Sequence, residues 1–323
     1  MKKNSISIIA EFCQNHNGDY NILNQMIEKA VESGATHGKI QNIFAKELTF
    51  RPCFENEIKI KNKIVSIKRP YKNEYERLKK LELNYKQLEN FVKKCKAFKL
   101  IPLITCFTRN QINLLSKIGF KTIKIASHDC SSFQFLREIV KKFNNLIVST
   151  GATYNDEIYK AAKILKKKNF SFLHCVTIYP TPLNDINLNR MNFLKKFTKQ
   201  VGYSDHAIAI DKNLIAIKLA ILMGAQIIEK HFTILEPSKT KDGLVSMTPS
   251  QLQKISQFSK LKKSDQKHAL KEISDKLRKK ISGKENRKMS NTELLNRDYY
   301  KGRFGSIINK EDGRMHVYNW EEI

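Results

Sequence analysis

No apolar stretch in this chain of 323 residues approaches the roughly 20 residues that a bilayer-spanning helix needs. The opening residues, Met1-Lys2-Lys3-Asn4-Ser5, run directly into a strand-like segment, so neither a signal peptide nor membrane association is expected. Paired-cysteine motifs are missing too. Cys13, Cys53, Cys95, Cys106, Cys130 and Cys175 show no CxxC spacing, which fits reduced thiols and a cytoplasmic location. No Walker-type or GxGxxG loop is present, so nucleotide binding has no motif support. Acidic residues are scarce beside basic ones, 31 against 59, for a net charge of +28. Such an excess attracts nucleic acid, anionic membranes or small acidic substrates. The basic residues are spread along helix faces, as in Lys166-Lys167-Lys168 and Lys276-Leu277-Arg278-Lys279-Lys280. That distribution favours solvated faces over a nucleic-acid footprint, while a phosphate-bearing substrate still gains from the field.

With 41% hydrophobic and 28% charged residues, the composition is that of an ordinary globular protein with a substantial core. Apolar, β-branched runs alternate with amphipathic stretches, the pattern of parallel βα units. The strand candidates are Ile6–Glu11, His37–Gln41, Ile101–Thr105, Thr122–Ala126, Leu146–Ser149, Phe170–Val176, Gln200–Tyr203 and Gln226–Lys230. Eight is the number that closes a TIM (β/α)8 barrel. Helices are expected over Tyr20–Ser33, Asn84–Phe98, Phe133–Phe143 and Tyr154–Lys167, the first with Gly34 as its C-cap. Phe44 to Leu81 reads as a loop insertion over the barrel mouth. From about Leu261 the chain is very basic and loses apolar periodicity until Tyr299. The expected organisation is therefore an α/β barrel over residues 1–260 and a basic linker with a short C-terminal tail over 261–323.

Residues at the C-terminal ends of barrel strands line the active site. Here they are unusually polar. Glu11 ends the first strand, Lys39 and Gln41 the second, Thr105-Cys106 the third, and Lys124 with Ser127 the fourth. Ser149-Thr150-Gly151 follows the fifth, and the sixth delivers His174, Thr177 and Tyr179. Ser204-Asp205-His206 and Glu229-Lys230-His231 close the last two, placing two histidines where they can share one metal ion. Hydroxyls, amides and two inward-facing lysines suit a ligand carrying both phosphate and carboxylate.

Taken in order, these segments resemble the N-acetylneuraminate (sialic acid) synthase family, which makes nonulosonic acids from phosphoenolpyruvate and an N-acylated hexosamine. The resemblance runs through Ile8-Ile9-Ala10-Glu11, Asn15-His16-Asn17-Gly18, Lys39-Ile40-Gln41, Lys124-Ile125-Ala126-Ser127, Ser149-Thr150-Gly151, Leu173-His174-Cys175 and Tyr179-Pro180-Thr181-Pro182. It continues through Gly202-Tyr203-Ser204-Asp205-His206 and Glu229-Lys230-His231-Phe232-Thr233, covering roughly residues 5–259. The resemblance implies a TIM barrel with a divalent ion, Mn²⁺ or Mg²⁺, on His206 and His231. It implies phosphoenolpyruvate contacts at Lys39, Lys124, Ser127, Ser149 and Ser204, with Thr177 where the family often has Asn or Ser. Thr105 or Cys106 matches a phosphate-contacting hydroxyl, and Gln41, Tyr179 and Asp242 match positions facing the sugar. Lys39, Lys124, His206 and His231 would carry the catalysis.

Three departures bear on the substrate. Ser127-His128-Asp129-Cys130 stands where relatives commonly read Ser-Gly-Glu, so Asp129 and His128 are expected to reshape the sugar pocket. Asn17 replaces a glutamate of some members, leaving the base open. No antifreeze-like domain is recognisable after the barrel; in many relatives its arginine reaches the partner's sugar site, and Arg303 or Arg314 is expected to take over part of that role. The partners implied are small molecules rather than nucleic acid or membrane, with a homodimer compatible with the resemblance. The competing readings are another phosphoenolpyruvate–sugar synthase of the octulosonate-phosphate type, an inactive barrel paralogue, and a basic nucleic-acid-binding scaffold.

Overall fold

The computed structural model describes residues 6–41, 43–310 and 313–322, with no side chain described for residues 213, 310, 313 and 314. Strands β1 (Ser7–Cys13) and β2 (His37–Gln41) precede a small antiparallel hairpin, β3 (Ile58–Ile60) and β4 (Lys63–Ser66). Six more strands follow: β5 (Ile101–Thr105), β6 (Thr122–Ile125), β7 (Asn145–Ser149), β8 (Asn169–His174), β9 (Val201–Asp205) and β10 (Ile227–His231). Apart from the hairpin they close into a barrel in the order β1-β10-β9-β8-β7-β6-β5-β2. Every neighbour pair in it is parallel. This is the TIM barrel read from the sequence, and strand ends shift from the expected ones by no more than two residues. The shift matters at β9 and β10. Asp205 and His231 belong to the ladder itself, paired as Lys230↔Asp205 and Glu11↔His231, rather than lying just beyond it.

Helices α1 (Tyr20–Glu32), α2 (Tyr71–Lys79), α3 (Tyr85–Ala97), α4 (Arg109–Ile118), α5 (Phe133–Lys142), α6 (Asn155–Leu165), α7 (Arg190–Leu194), α8 (Ile215–Leu222) and α9 (Pro249–Lys260) come in chain order, most of them on the outside of the barrel. Their starts are written in the sequence. Asp19 caps α1 through Asn21 and Ile22 amides, and Asn84 with Gln87 forms a capping box on α3. The apolar face of α1, Leu23, Met26, Ile27 and Ala30, is fully buried in the layer between helices and strands. Inside the barrel, Ile9, Leu103, Ile147, Leu173 and Ile227 form an apolar floor. Gly202 lies at its edge because a Cβ there would sit 2.3 Å from the Ile227 carbonyl oxygen and 2.6 Å from Leu173 Cδ2. The floor closes the barrel from below and leaves chemistry only the mouth.

Two segments roof that mouth. The stretch expected to be a loop contains the β3–β4 hairpin and helix α2, whose Glu74 and Arg77 face the cavity. The basic tail is more ordered than its sparse apolar residues announced. It forms α10 (Lys263–His268), α11 (Asp275–Ser282), α12 (Asn291–Tyr300) and the hairpin β11 (Gly305–Lys310) with β12 (Gly313–Tyr318). Single anchors such as Leu270 and Ile281 are buried, and Ser290 with Glu293 makes a capping box on α12. The tail is stitched to the mouth by polar bonds. Arg51 Nη1 donates to the Asp298 and Lys301 carbonyls at the C-terminal end of α12 (3.1 and 3.0 Å), where a cation meets the negative pole of the helix. Asn319 Nδ2 donates to Phe107 O at 2.7 Å and to Asp129 Oδ1 at 2.9 Å.

Candidate active site

Strand alternation puts the next inward residue two positions above the floor. Ile9 is followed by Glu11, Leu103 by Thr105, Ile147 by Ser149 and Ile227 by Glu229; Lys39, Lys124 and Ser204 enter from β2, β6 and β9. Lys39 Nζ is paired with Glu11 Oε2, donates to Thr105 Oγ1 at 3.2 Å and lies 3.8 Å from Glu229 Oε2. Lys124 Nζ donates to Ser149 Oγ at 2.6 Å and lies 3.7 Å from Glu229 Oε1. Glu229 therefore bridges two buried ammonium groups while accepting a bond from Ser204 Oγ at 2.9 Å. Burial alone would raise its carboxyl, but Lys124 and Lys39 outweigh that and hold it at about 2. Burial pulls the Lys124 amine below its ordinary value against the attraction of Glu229. For Lys39 burial is overcome by Glu11 and Glu229, which hold its amine above the ordinary value. Glu229 Oε2 and Thr177 Oγ1 are buried with no hydrogen-bond partner among the described residues. A buried polar atom left unpaired costs about 1–3 kcal/mol; Glu229 Oε2 is compensated by the Lys39 ammonium, which leaves the Thr177 hydroxyl as the group open to a ligand.

On the next tier stand the two histidines. The His206 and His231 ring centroids are 5.8 Å apart. Two imidazoles sharing one ion through nitrogens about 2 Å from it stand about that far apart. His206 Nδ1 bonds the Val176 carbonyl at 2.9 Å, which orients the ring, and burial followed by the nearby His231 lowers its pKa to about 4. A neutral imidazole is what a metal needs. His231 Nδ1 is buried without a hydrogen-bond partner and lies 3.8 Å from Asp242 Oδ2. The Cys13 thiol completes a cluster in which one donor atom each of Cys13, His231 and Asp242 lies within 4.8 Å of the others. This donor set fits a divalent ion. The loop carrying Asp242 is held by the first strand's motif: Asn15 Nδ2 donates to Phe232 O and Ser246 Oγ, both at 2.8 Å, and Asn17 Nδ2 to Lys239 O at 2.8 Å. Asn17, which stands where some members place a glutamate, ties down this loop.

A cavity of about 330 Å³ joins both tiers. Of the residues singled out from the sequence, Lys39, Gln41, Thr105, Lys124, Ser127, Ser149, Thr177, Tyr179, Ser204, His206, His231, Asp242 and Arg303 all line it. Tyr179 packs on His206, ring centroids 4.3 Å apart. His128 forms part of the wall, stacked between Phe107 and Tyr300 at 6.1 and 6.0 Å. Arg303 reaches the rim, paired with Glu74 and packed on Tyr300. Asp129 is not among the lining residues; its Oδ1 accepts from Ser132 Oγ and Asn319 Nδ2, both at 2.9 Å, and anchors the tail. Nor is His174, which points outward: its Nε2 meets the Ile186 carbonyl at 2.6 Å, as a core histidine does. The Arg314 side chain falls outside the described residues.

Sequence reasoning passed over several lining residues. Glu11 and Glu229 are placed at strand ends by the sequence without a role, although Glu229 shares strand parity with His231; Cys13 reaches the cavity through the bulge after Glu11. Arg69, Glu74 and Arg77 from the insertion, Lys241, and Asn296, Arg297, Tyr299 and Tyr300 from α12 had none, because only folding brings the insertion and tail over the mouth.

Residues 26–269 match the NeuB family. Among curated proteins, the chain is 34% identical over 262 residues to an N,N'-diacetyllegionaminic acid synthase of Campylobacter jejuni, covering 77% of this chain and 73% of the relative. An enzyme of the same name from Legionella pneumophila is 32% identical over 77% of this chain and 70% of its own. Among solved structures, an N-acetylneuraminic acid synthetase from Leptospira borgpetersenii superposes with a TM-score of 0.67 at 27% identity, covering 91% of both chains.

Proposed function

This chain belongs to the NeuB family, and on that premise we propose that its barrel mouth condenses phosphoenolpyruvate with an N-acylated hexosamine, yielding a nonulosonic acid and phosphate. It is a transferase that forms a carbon–carbon bond. The observation that carries the assignment is the arrangement of Lys39 and Lys124 on either side of Glu229, at 3.8 and 3.7 Å, directly below the His206–His231 pair. Two buried cations share one buried carboxylate, so an incoming anion meets positive groups already desolvated and fixed in place.

Phosphoenolpyruvate places its phosphate and carboxylate against Lys39 and Lys124, with the hydroxyls of Thr105, Ser127, Ser149, Thr177 and Ser204 around them. Its methylene carbon then attacks the aldehyde of the open-chain sugar. Positive charge develops at the phosphate-bearing carbon, water adds there, and phosphate leaves by C–O cleavage. Lys39 and Lys124 neutralise the departing phosphate. Glu229, held near pKa 2, is too weak a base to take the proton from that water; its role is to keep the two ammonium groups spaced and charged. His206 and His231 would hold a divalent ion, Mn²⁺ or Mg²⁺ in the family's pattern, whose chemistry is to polarise the aldehyde oxygen. Gln41 and Tyr179 face the acceptor. Arg303 of the same chain, clamped with Arg77 on Glu74, closes the rim over it. The barrel within residues 1–260 is the synthase body, and α12 with Arg303 from the tail lies over its mouth. The names of the Campylobacter jejuni and Legionella pneumophila relatives, both N,N'-diacetyllegionaminic acid synthases, favour an acceptor with two acylamino groups.

Phosphate release from phosphoenolpyruvate, measured across a panel of N-acylated hexosamines and arabinose 5-phosphate with mass spectrometry of products, tests the reading. Release is expected with a diacylamino hexose and a divalent ion, and its loss is expected in EDTA and in His206→Ala. Release driven by arabinose 5-phosphate alone would transfer the protein to the octulosonate-phosphate class.

A further inference from the structure

Cys13 sits where its backbone disfavours any side chain. Its φ is +46°, in the left-handed region that glycine enters freely and other residues enter under strain. The register of β1 against β2 shifts between Glu11 and Cys13, and such a bulge re-aims the residue that follows it. The result is a thiol lining the cavity beside His231 and Asp242, one donor atom of each within 4.8 Å of the others. A second, independent observation points to a ligand. His231 is nine-tenths buried, and its Nδ1 has no hydrogen-bond partner. The nearest carboxylate oxygen, Asp242 Oδ2, is 3.8 Å away, beyond hydrogen-bond length and too close for an intervening water.

We propose that Cys13 is a thiolate ligand of the site's divalent ion, joining His231 and Asp242, so that the site selects thiophilic ions such as Zn²⁺, Co²⁺ or Fe²⁺ over Mn²⁺ and Mg²⁺. The inference deepens the synthase reading and rests on the same cavity. Soft sulfur donors favour the later transition ions, whereas sites built from imidazole, carboxylate and water leave room for the hard ones. On binding, the thiol proton goes to solvent and nothing is oxidised or reduced. Three protein ligands leave further positions for His206 from the neighbouring strand and for a substrate oxygen, as an open site requires.

The test is titration of chelator-stripped protein with Co²⁺ alone, without oxygen, read by absorption. A sulfur-to-cobalt charge-transfer band in the near ultraviolet is expected at one equivalent. It should vanish in Cys13→Ser and Cys13→Gly and persist in Cys175→Ser, the other thiol lining the cavity. Zn²⁺ should displace the Co²⁺ stoichiometrically and a large excess of Mn²⁺ should not. Cys13→Ser should weaken Zn²⁺ binding by more than the roughly 10–100-fold that an outer-sphere partner is worth. Glycine accepts the left-handed backbone, so Cys13→Gly keeps its circular dichroism and separates a lost ligand from a lost fold. Absence of the band in the unmodified protein, or its survival in both Cys13 variants, overturns the proposal. Phosphate release run in parallel separates the two readings. Turnover without the band removes the thiolate ligand and leaves the synthase; the band without turnover on any sugar does the reverse.

Discussion

Lys39 and Lys124 carry the same charge in the same cavity, yet their surroundings predict different consequences of losing them. Lys39 is paired directly with Glu11 and lies near Glu229; its removal strands two buried carboxylates. Breaking a buried pair from one side costs about 3–5 kcal/mol. Lys124 is held by Ser149 Oγ, the Ile125 carbonyl and Glu229 at 3.7 Å, so its removal strands one carboxylate rather than two. Lys39→Met should therefore lower the melting temperature clearly, and Lys124→Met less. Both should cut kcat/KM for phosphoenolpyruvate by about a hundredfold or more, the scale of losing one preorganised donor. Melting curves and initial rates on the two variants check this, and a Lys124→Met enzyme with unaltered phosphoenolpyruvate kinetics would remove that lysine from the anion site. At this scale the sequence was nearly sufficient. Once β1, β6 and β10 are placed, parity sends Glu11, Lys124 and Glu229 inward; what parity does not supply is who pairs with whom. That Glu229 bridges both lysines follows from barrel curvature, which brings β2, β6 and β10 to a common centre.

At the scale of elements, the site is finished by a clasp between α2 of the insertion and the segment after α12. Glu74 of α2 accepts Arg77 Nη2 at 2.8 Å and also pairs with Arg303. Burial would raise its carboxyl, but the bond from Arg77 and the charge of Arg303 hold it at about 2. A folded value below the ordinary 4.5 means stability that is complete above about pH 4.5 and disappears as pH falls towards 2. Acid should thus loosen the lid in that window. Trp320, the single tryptophan, stacks on Tyr318 at 4.7 Å just after β12 and reports on it. Its emission is expected to change on acidification before the far-ultraviolet circular dichroism does, and Glu74→Gln should show the loosened emission already at pH 7. Coincident loss of both signals would deny the lid a separate transition. The barrel strands and their helices were legible because period-2 and period-3.6 patterns are local. The helices after residue 261 were not, since α11 rests on single anchors such as Ile281 rather than an apolar stripe.

For the molecule as a whole, a net charge of +28 sets a self-repulsion that folding must overcome. Exposed charges more than about 10 Å apart are largely screened at 0.1 M salt. The melting temperature should accordingly rise by a few degrees between low and moderate NaCl, since about 1 kcal/mol moves a chain of this size by roughly 2–4 °C or less. Differential scanning fluorimetry across a salt series decides it; a flat or falling curve would mean that local pairs such as Arg297–Glu157 already compensate the field. No helix among the described residues is long and apolar enough to cross a membrane. The sequence alone determined the number and chain order of the barrel strands, the polar layer at their C-terminal ends and the two histidines, because each depends on residues a few positions apart. Tertiary structure alone decided three things. Asp129 and His174 turned from candidate site residues into structural ones, Cys13 was brought to His231 and Asp242, and Arg77 and Arg303 met on Glu74. Those contacts join residues up to 229 positions apart, and a distance of that kind is set only when the barrel closes and its two appendages fold across the mouth.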